Sequence, residues 1–236
     1  VEPAAVEELA ELALHLTHWA NELREEVEED AEGVATLDSN LSDMFRRAHL
    51  GYEKAGQIYP ELAGRYGRPK GVILSHLWSY TGIGGAYFPF TAEANVNIKL
   101  PDFLLPATTT HEMAHQRGIA KEDDTNFVGY IACLLQDDVT FRYSANLFAY
   151  IYLMNGIYST DKELYRLISD SVNYMVMTDL NYYNEYLKKY QSAVSEASNA
   201  VNDQYLKSMG QEDGTKSYGR VTDLIIAWHL KNLREV

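Results

Sequence analysis

Thr108-Thr109-Thr110-His111-Glu112-Met113-Ala114-His115-Gln116-Arg117-Gly118, followed two residues on by Lys121-Glu122-Asp123-Asp124-Thr125-Asn126-Phe127, is the stretch that decides the reading of this chain. On a helix, residues four apart share a face, so His111 and His115 can offer two imidazole nitrogens to one ion. Glu112 sits about 100° round the same turn, where its carboxylate reaches a water beside the ion without being a ligand. Two His with an intervening Glu at this spacing is the H-E-x-x-H pattern of zinc-dependent hydrolysis, the Glu taking a proton from the attacking water. Asp102 with Pro106 marks a start for this helix, and Gly118 a stop.

Catalytic zinc normally takes three protein ligands, so a third must come from elsewhere. Gly118 can turn the chain, and residues 121–136 read as a second helix with Phe127, Tyr130, Ile131, Leu134 and Leu135 on its apolar side. Three carboxylates stand near its start. Glu122 is the expected third ligand, one turn before Asn126, which can hold a ligand through a hydrogen bond. Asp124 is the alternative. All three acids also complement the positive end of the helix dipole, and two of them need no other reason to be there.

The order H-E-x-x-H, a turn glycine, then E-x-x-x-N resembles the zincin metallopeptidases, several families of which take the third ligand from a helical E-x-x-x-D/N. A closer resemblance runs through Arg65-Tyr66-Gly67-Arg68-Pro69, Tyr80-Thr81-Gly82-Ile83, Tyr87-Phe88-Pro89-Phe90-Thr91, Glu93-Ala94-Asn95-Val96-Asn97 and the segment from His111 to Gly118. It continues in Phe141-Arg142-Tyr143-Ser144, Val201-Asn202-Asp203-Gln204-Tyr205-Leu206 and Ser217-Tyr218-Gly219-Arg220-Val221. These pieces, spread over nearly the whole chain, are similar to an uncharacterised bacterial family of membrane-anchored, zincin-like proteins classed as a domain of unknown function. The resemblance implies an N-terminal membrane anchor and a domain on the extracytoplasmic face of the cell membrane. Asp124-Thr125 stands where that family pattern implies Glu-Ala, which favours Glu122 over Asp124.

Composition narrows the partners. A net charge of −14 disfavours nucleic acid, whose phosphates need a basic surface, and disfavours adhesion to anionic lipid. The single Cys133 excludes an internal disulfide and reads as a small buried apolar residue. The longest apolar stretch, residues 147–158, is interrupted by Asn155 and Gly156 and is too short to span a bilayer. The acidic N-terminus lacks the pattern of a signal peptide. With 46% hydrophobic residues, 236 residues suffice for one sizeable core.

Around the motif the chain reads as mostly helical. Residues 4–30 form an expected helix with Val6, Leu9, Leu12, Leu16, Trp19 and Leu23 on one face, ending in an acidic run. A second helix is expected over 41–62. Short strands are expected over 71–75, 86–90 and 94–99, with the glycines at 82, 84 and 85 as a turn. The polar–apolar alternation of Asn95-Val96-Asn97-Ile98 suits a sheet edge, either a plain one or one that pairs with an extended peptide. Further helices are expected over 142–158, 161–178, 180–208 and 217–232, the last two separated by a polar link at 210–214. Eighteen Tyr suit core positions with the hydroxyl at the surface, and also clefts for peptides or sugars.

Hydrolysis of an amide also needs a donor for the developing oxyanion. Tyr218 with Arg220 is preferred because the Ser-Tyr-Gly-Arg segment opens a helix after a loop; His229, Tyr87 and Arg142 are alternatives. The whole is expected to be a single, predominantly helical α+β zincin-like domain over residues 1–236, with a small sheet beside the motif helix. Zn2+ would be held by His111, His115 and Glu122, and Glu112 would act as general base in cleaving a peptide or protein substrate. The alternatives are a non-catalytic, zinc-stabilised binding or sensor domain and a metal-free interaction domain.

Overall fold

In the computed structural model, which describes residues 5–190 and 218–233, Leu12, Leu16 and Leu23 recur at helical spacing and are buried on one face of α1 (Val6–Arg24). This helix stops at Arg24 and does not run on to residue 30. The Arg24 guanidinium is fully buried, and it draws the following chain back over itself by donating to the carbonyls of Val27 and Gly33, the latter at 2.8 Å. The return needs a residue with positive φ, supplied by Gly33 at +76°.

Helices α2 (Leu41–Arg47) and α3 (His49–Ile58) follow almost without a break, α2 being capped by Asn40, whose side chain accepts from Asp43 N at 3.0 Å. Pro60 ends the run, since a proline disfavours helical backbone in the residue before it, and residues Pro60–Leu62 form a 3-10 turn.

The sheet is small and ordered differently from its expectation. Strand β1 (Lys70–Gly71) is only two residues long, because Ser75 turns the chain into α4 (Ser75–Tyr80) by donating its hydroxyl to Val72 O at 2.6 Å. Strands β2 (Gly85–Phe88) and β3 (Glu93–Val96) pair antiparallel, and β1 pairs parallel on the other side of β3. The order is therefore β1-β3-β2. Strand β3, read from its alternation as an edge, is the central strand, with both rows of its backbone groups engaged. Its alternation has another source: Ala94 and Val96 are fully buried towards the helices while the residues between them face away. It ends at Asn97, whose amide donates to Ser79 Oγ and Ile83 O. The outer strand on the helix side is β2.

After a 3-10 turn (Asp102–Leu104) comes α5 (Leu105–Gln116), with Pro106 in its first turn. Asp102 does not cap α5; its carboxylate accepts from Leu37 N at 3.4 Å. Gly118, at φ +83°, turns the chain into α6 (Glu122–Leu134). Asp138 caps α7 (Val139–Thr160) and Asp161 caps α8 (Lys162–Ser169), each through its carboxylate on backbone N–H groups. The expected helix over 161–178 is thus broken at residues 170–173, and α9 (Tyr174–Tyr190) and α10 (Tyr218–Leu233) complete the described elements. The motif Val201 to Leu206, the link at 210–214 and the expected helical residues 191–208 lie outside the described residues.

Helix α7 is apolar on most sides, and Phe141, Leu147, Leu153 and Ile157 are buried where it packs against α1, α5, α6 and α10. Helix α5 lies between α6 and the sheet. The fold is predominantly helical α+β with a three-stranded sheet beside the motif helix. Cys133 is buried, its thiol donating to Phe141 O. Among the described residues no helix is long and apolar enough to cross a membrane.

Candidate metal centre

Two close approaches set the geometry of the motif. Gly129 places α6 directly against α5: a Cβ there would lie 2.8 Å from both the Cα and the N of His111. Gly85 does the same for β2, where a Cβ would lie 2.3 Å from Glu112 Oε1. A side chain at Gly129 would push α6 away from α5, and one at Gly85 would displace either β2 or the Glu112 side chain. Neither contact is visible in local sequence pattern; Gly85 reads there only as part of a glycine turn.

With α6 held so close, Glu122 faces both imidazoles. Its Oε2 is 3.3 Å from His111 Nε2 and its Oε1 is 3.4 Å from His115 Nε2. The two rings stand nearly perpendicular, at 86°, with centroids 5.0 Å apart. One ligand atom from each of the three residues lies within 4.8 Å of the others. Four ligands about 2.0–2.1 Å from a zinc ion in a tetrahedron stand roughly 3.3 Å apart, so these separations suit a small divalent ion. Among the described residues this is the cluster of His, Cys, Asp and Glu side chains able to hold one. Asp124 is not part of it.

Each His is oriented from behind. His115 Nδ1 lies 2.8 Å from the carbonyl oxygen of Ile119, which can only accept, so Nδ1 carries a proton and, in the neutral ring, Nε2 is the nitrogen left to bind a metal. Thr125 buttresses the same spot, its hydroxyl donating to Lys121 O at 2.9 Å and lying 3.5 Å from His115 Nδ1. The role of Thr125 was not legible from spacing. Asn126, one turn after Glu122, adds a small contribution that favours the charged form of His111. Tyr87 on β2 stacks on His115, with ring centroids 6.2 Å apart and planes 23° from parallel.

The charges are coupled. Burial disfavours the charged form of His111, but the Glu122 and Glu112 carboxylates and the Asn126 hydrogen bond outweigh it and hold its pKa above the usual value. Burial alone would raise the pKa of Glu122; hydrogen bonds and attraction from both His reverse that and hold it well below the carboxylate range. Glu112 goes the other way. It is buried, at 3% exposure, and desolvation raises its pKa despite the two His nearby, with Glu122 adding to the rise. Its Oε1 is 3.9 Å from His111 Nε2, and its Oε2 is buried with no hydrogen-bond partner among the described residues. A buried carboxylate oxygen without a donor is costly unless a ligand or water completes it.

The remaining candidates scatter. Arg220 is exposed and ion-paired with Asp124 at 3.4 Å, tying α10 to the first turn of α6. At about 100° per residue, Asp124 lies roughly 200° round α6 from Glu122, so this pair is on another side of that helix. The side chain of Tyr218 is outside the described residues. The Arg142 guanidinium sits over the ring of Trp19, 5.8 Å from its centroid.

His229 is a core residue. It shares a 2.6 Å hydrogen bond with the Tyr130 hydroxyl, and burial, together with His15, pushes its pKa down to about 4. Between that value and the ordinary ~6.5, the unfolded chain binds a proton that the folded protein refuses, so stability falls as the pH drops through this window. Urea unfolding at pH 7 and pH 4.5 is expected to show the wild type losing about 2–3 kcal/mol more than His229→Phe. Equal losses in the two proteins would contradict the assignment.

The family described as "Protein of unknown function (DUF3810)" matches residues 1–226, and the chain belongs to it. No curated protein and no solved structure matches the chain.

Proposed function

We propose that this member of the family is a zinc-dependent, zincin-like metallopeptidase that hydrolyses peptide bonds. The observation that carries the proposal is the convergence of His111, His115 and Glu122, with the unpartnered Glu112 oxygen beside them. Zinc bound there would polarise the substrate carbonyl and make a water more acidic. Glu112, whose Oε2 is buried without a hydrogen-bond partner among the described residues, would take the proton of that water and later hand it to the leaving amine. Ile119, Thr125 and Asn126 keep the two imidazoles aimed while this happens.

The substrate backbone is assigned to β2. Asn97 N donates to Gly84 O at 2.8 Å in the same register as the β2–β3 ladder, so alternation turns the N–H and C=O of Gly85 and Tyr87 outward, away from β3. An extended peptide added at that edge would pass directly by Glu112 and His115. Arg220 is not assigned as the oxyanion donor, because it pairs with Asp124 on a side of α6 away from Glu122. We further propose, from the resemblance described above, that the domain works outside the bacterial cytoplasmic membrane, held by an N-terminal anchor. The partner is a peptide or protein rather than nucleic acid, in keeping with the net charge of −14.

The test is cleavage of a mixed peptide library read by mass spectrometry. Cleavage is expected, to stop on treatment with a zinc chelator, and to return on adding one equivalent of zinc. Cleavage that persists after complete metal removal would contradict the proposal.

A further inference from the structure

The net charge of −14 is not spread evenly along the chain. Residues 62–92 carry Arg65, Arg68 and Lys70 and no Asp or Glu. The same stretch holds the two most exposed large apolar side chains among the described residues, Ile73 at 98% and Phe90 at 89%. Phe90 stands in the turn between β2 and β3, its ring 5.6 Å from that of the half-exposed Phe88. Exposed apolar groups gathered beside cations mark an interaction surface.

Hydrogen bonds bring these features together. Gln116, at the end of the motif helix, donates from Nε2 to Gly67 O at 3.1 Å and to Ala92 O at 2.9 Å, which fastens the loop carrying Arg65 and Arg68 against the β2–β3 turn. Lys70 on β1 is ion-paired with Glu93, which stands opposite Phe88 on β2. Ile73 follows Lys70 by three residues, a span of at most about 10 Å. Arg65 and Arg68 are exposed, with no ion-pair partner among the described residues. Arg117 lies between the rings of Tyr52 and Tyr66, 3.5 and 4.4 Å from their centroids, and no carboxylate among the described residues balances it. The turn is also suited to leaving water: Thr91 N donates to Phe88 O at 3.3 Å, Pro89 has no N–H, and Ala92 O is taken by Gln116.

We propose that this tip docks on an anionic lipid bilayer, Phe88 and Phe90 entering the acyl boundary while Arg65 and Arg68 reach the headgroup phosphates. Charge decides between occupants. At physiological ionic strength the Debye length is about 8 Å, so a bilayer at the tip meets the local cations while acids beyond that distance are largely screened. A second copy joined through this tip by a two-fold contact would set the same arginines against each other. A side chain as exposed as Phe90 lines no groove that could hold a peptide. Phe90 is at most about 10 Å along the chain from Tyr87, which stacks on His115, so the docked domain would hold the candidate metal centre close to the bilayer. The docking rests neither on the peptidase reading of that centre nor on a separate anchor.

The test is flotation of the purified 236-residue chain with vesicles of phosphatidylcholine alone or mixed with phosphatidylglycerol, at physiological salt. Binding to the mixed vesicles is expected to be at least about tenfold tighter, since each basic residue at an anionic surface gains roughly fivefold. Phe88→Ser with Phe90→Ser should weaken it by at least about tenfold. Arg65→Ser with Arg68→Ser should remove most of the preference for the mixed vesicles. All four side chains are exposed, so an unchanged urea midpoint is expected in both variants. Cys133 is buried, so Phe90→Cys can be labelled alone with a polarity-sensitive fluorophore, whose emission should move to the blue on the mixed vesicles and be quenched by brominated acyl chains. No binding to the mixed vesicles, binding that survives loss of both Phe, or a label at position 90 that stays in water would overturn the proposal. So would a dimer that Phe90→Ser dissolves, seen by sedimentation equilibrium without vesicle binding, which would make a second copy the occupant.

Discussion

Replacing Glu112 with Gln is expected to lower kcat/KM on any cleaved peptide by about 10²–10⁴-fold while zinc content stays at one per chain. The substitution keeps the shape of a side chain packed against Gly85, so the close approach of β2 survives, but it removes the carboxylate proposed to take the proton. Glu112 is not among the three converging donors, so the metal has no reason to leave. Steady-state kinetics paired with elemental analysis of the same sample read both halves of this expectation. A variant that keeps wild-type activity would remove Glu112 from the mechanism. If wild type and variant both bind zinc and neither cleaves any peptide, the non-catalytic binding domain becomes the better description.

The second large effect involves none of the candidate metal-site residues. Asp179 on α9 is fully buried and accepts from Arg24 Nε at 2.7 Å, the Tyr143 hydroxyl at 2.5 Å and Ala35 N at 2.8 Å. One carboxylate thus joins α1, the loop after it, α7 and α9. Burial raises the pKa of Asp179, opposed by these hydrogen bonds and by Arg24; burial likewise opposes the charge on Arg24, which Asp179 more than restores. Asp179→Asn leaves a guanidinium inside the protein with only the half-exposed Glu29 as counter-charge, at 3.1 Å. The expected cost is about 3–5 kcal/mol, which for a chain of this size lowers Tm by roughly 10 °C. Urea melts should show a lower midpoint with an unchanged slope. The double change Arg24→Met with Asp179→Leu is expected to be milder than Asp179→Asn alone, because it removes both charges together. A single variant that loses less than about 1 kcal/mol would show that the pair does not hold these elements together.

What could be read from sequence followed the reach of local rules. Helical spacing puts His111 and His115 on one face, and Gly118 supplies the positive φ that brings the next helix back, so the convergence of the two His with Glu122, and not with Asp124, was legible. The buried faces of α1 and α6 follow from the spacing of their apolar residues. Sheet order was not legible, since alternation in β3 reports one buried face and says nothing of how many strands flank it. Nor was the end of α1: an acidic run after Arg24 is compatible with helix, and the partner that fixes Arg24 lies 155 residues away. The contacts of Gly85 and Gly129 were hidden because a glycine's need for space depends on what tertiary packing brings against it.

The central claim is that three side chains from two successive helices share one metal ion, and diffraction on either side of the zinc absorption edge tests it most directly. Crystals of protein purified without chelator are expected to show one anomalous peak about 2.0–2.2 Å from His111 Nε2, His115 Nε2 and a carboxylate oxygen of Glu122. A peak held by other residues, or zinc-soaked crystals with no peak between these side chains, would contradict the account.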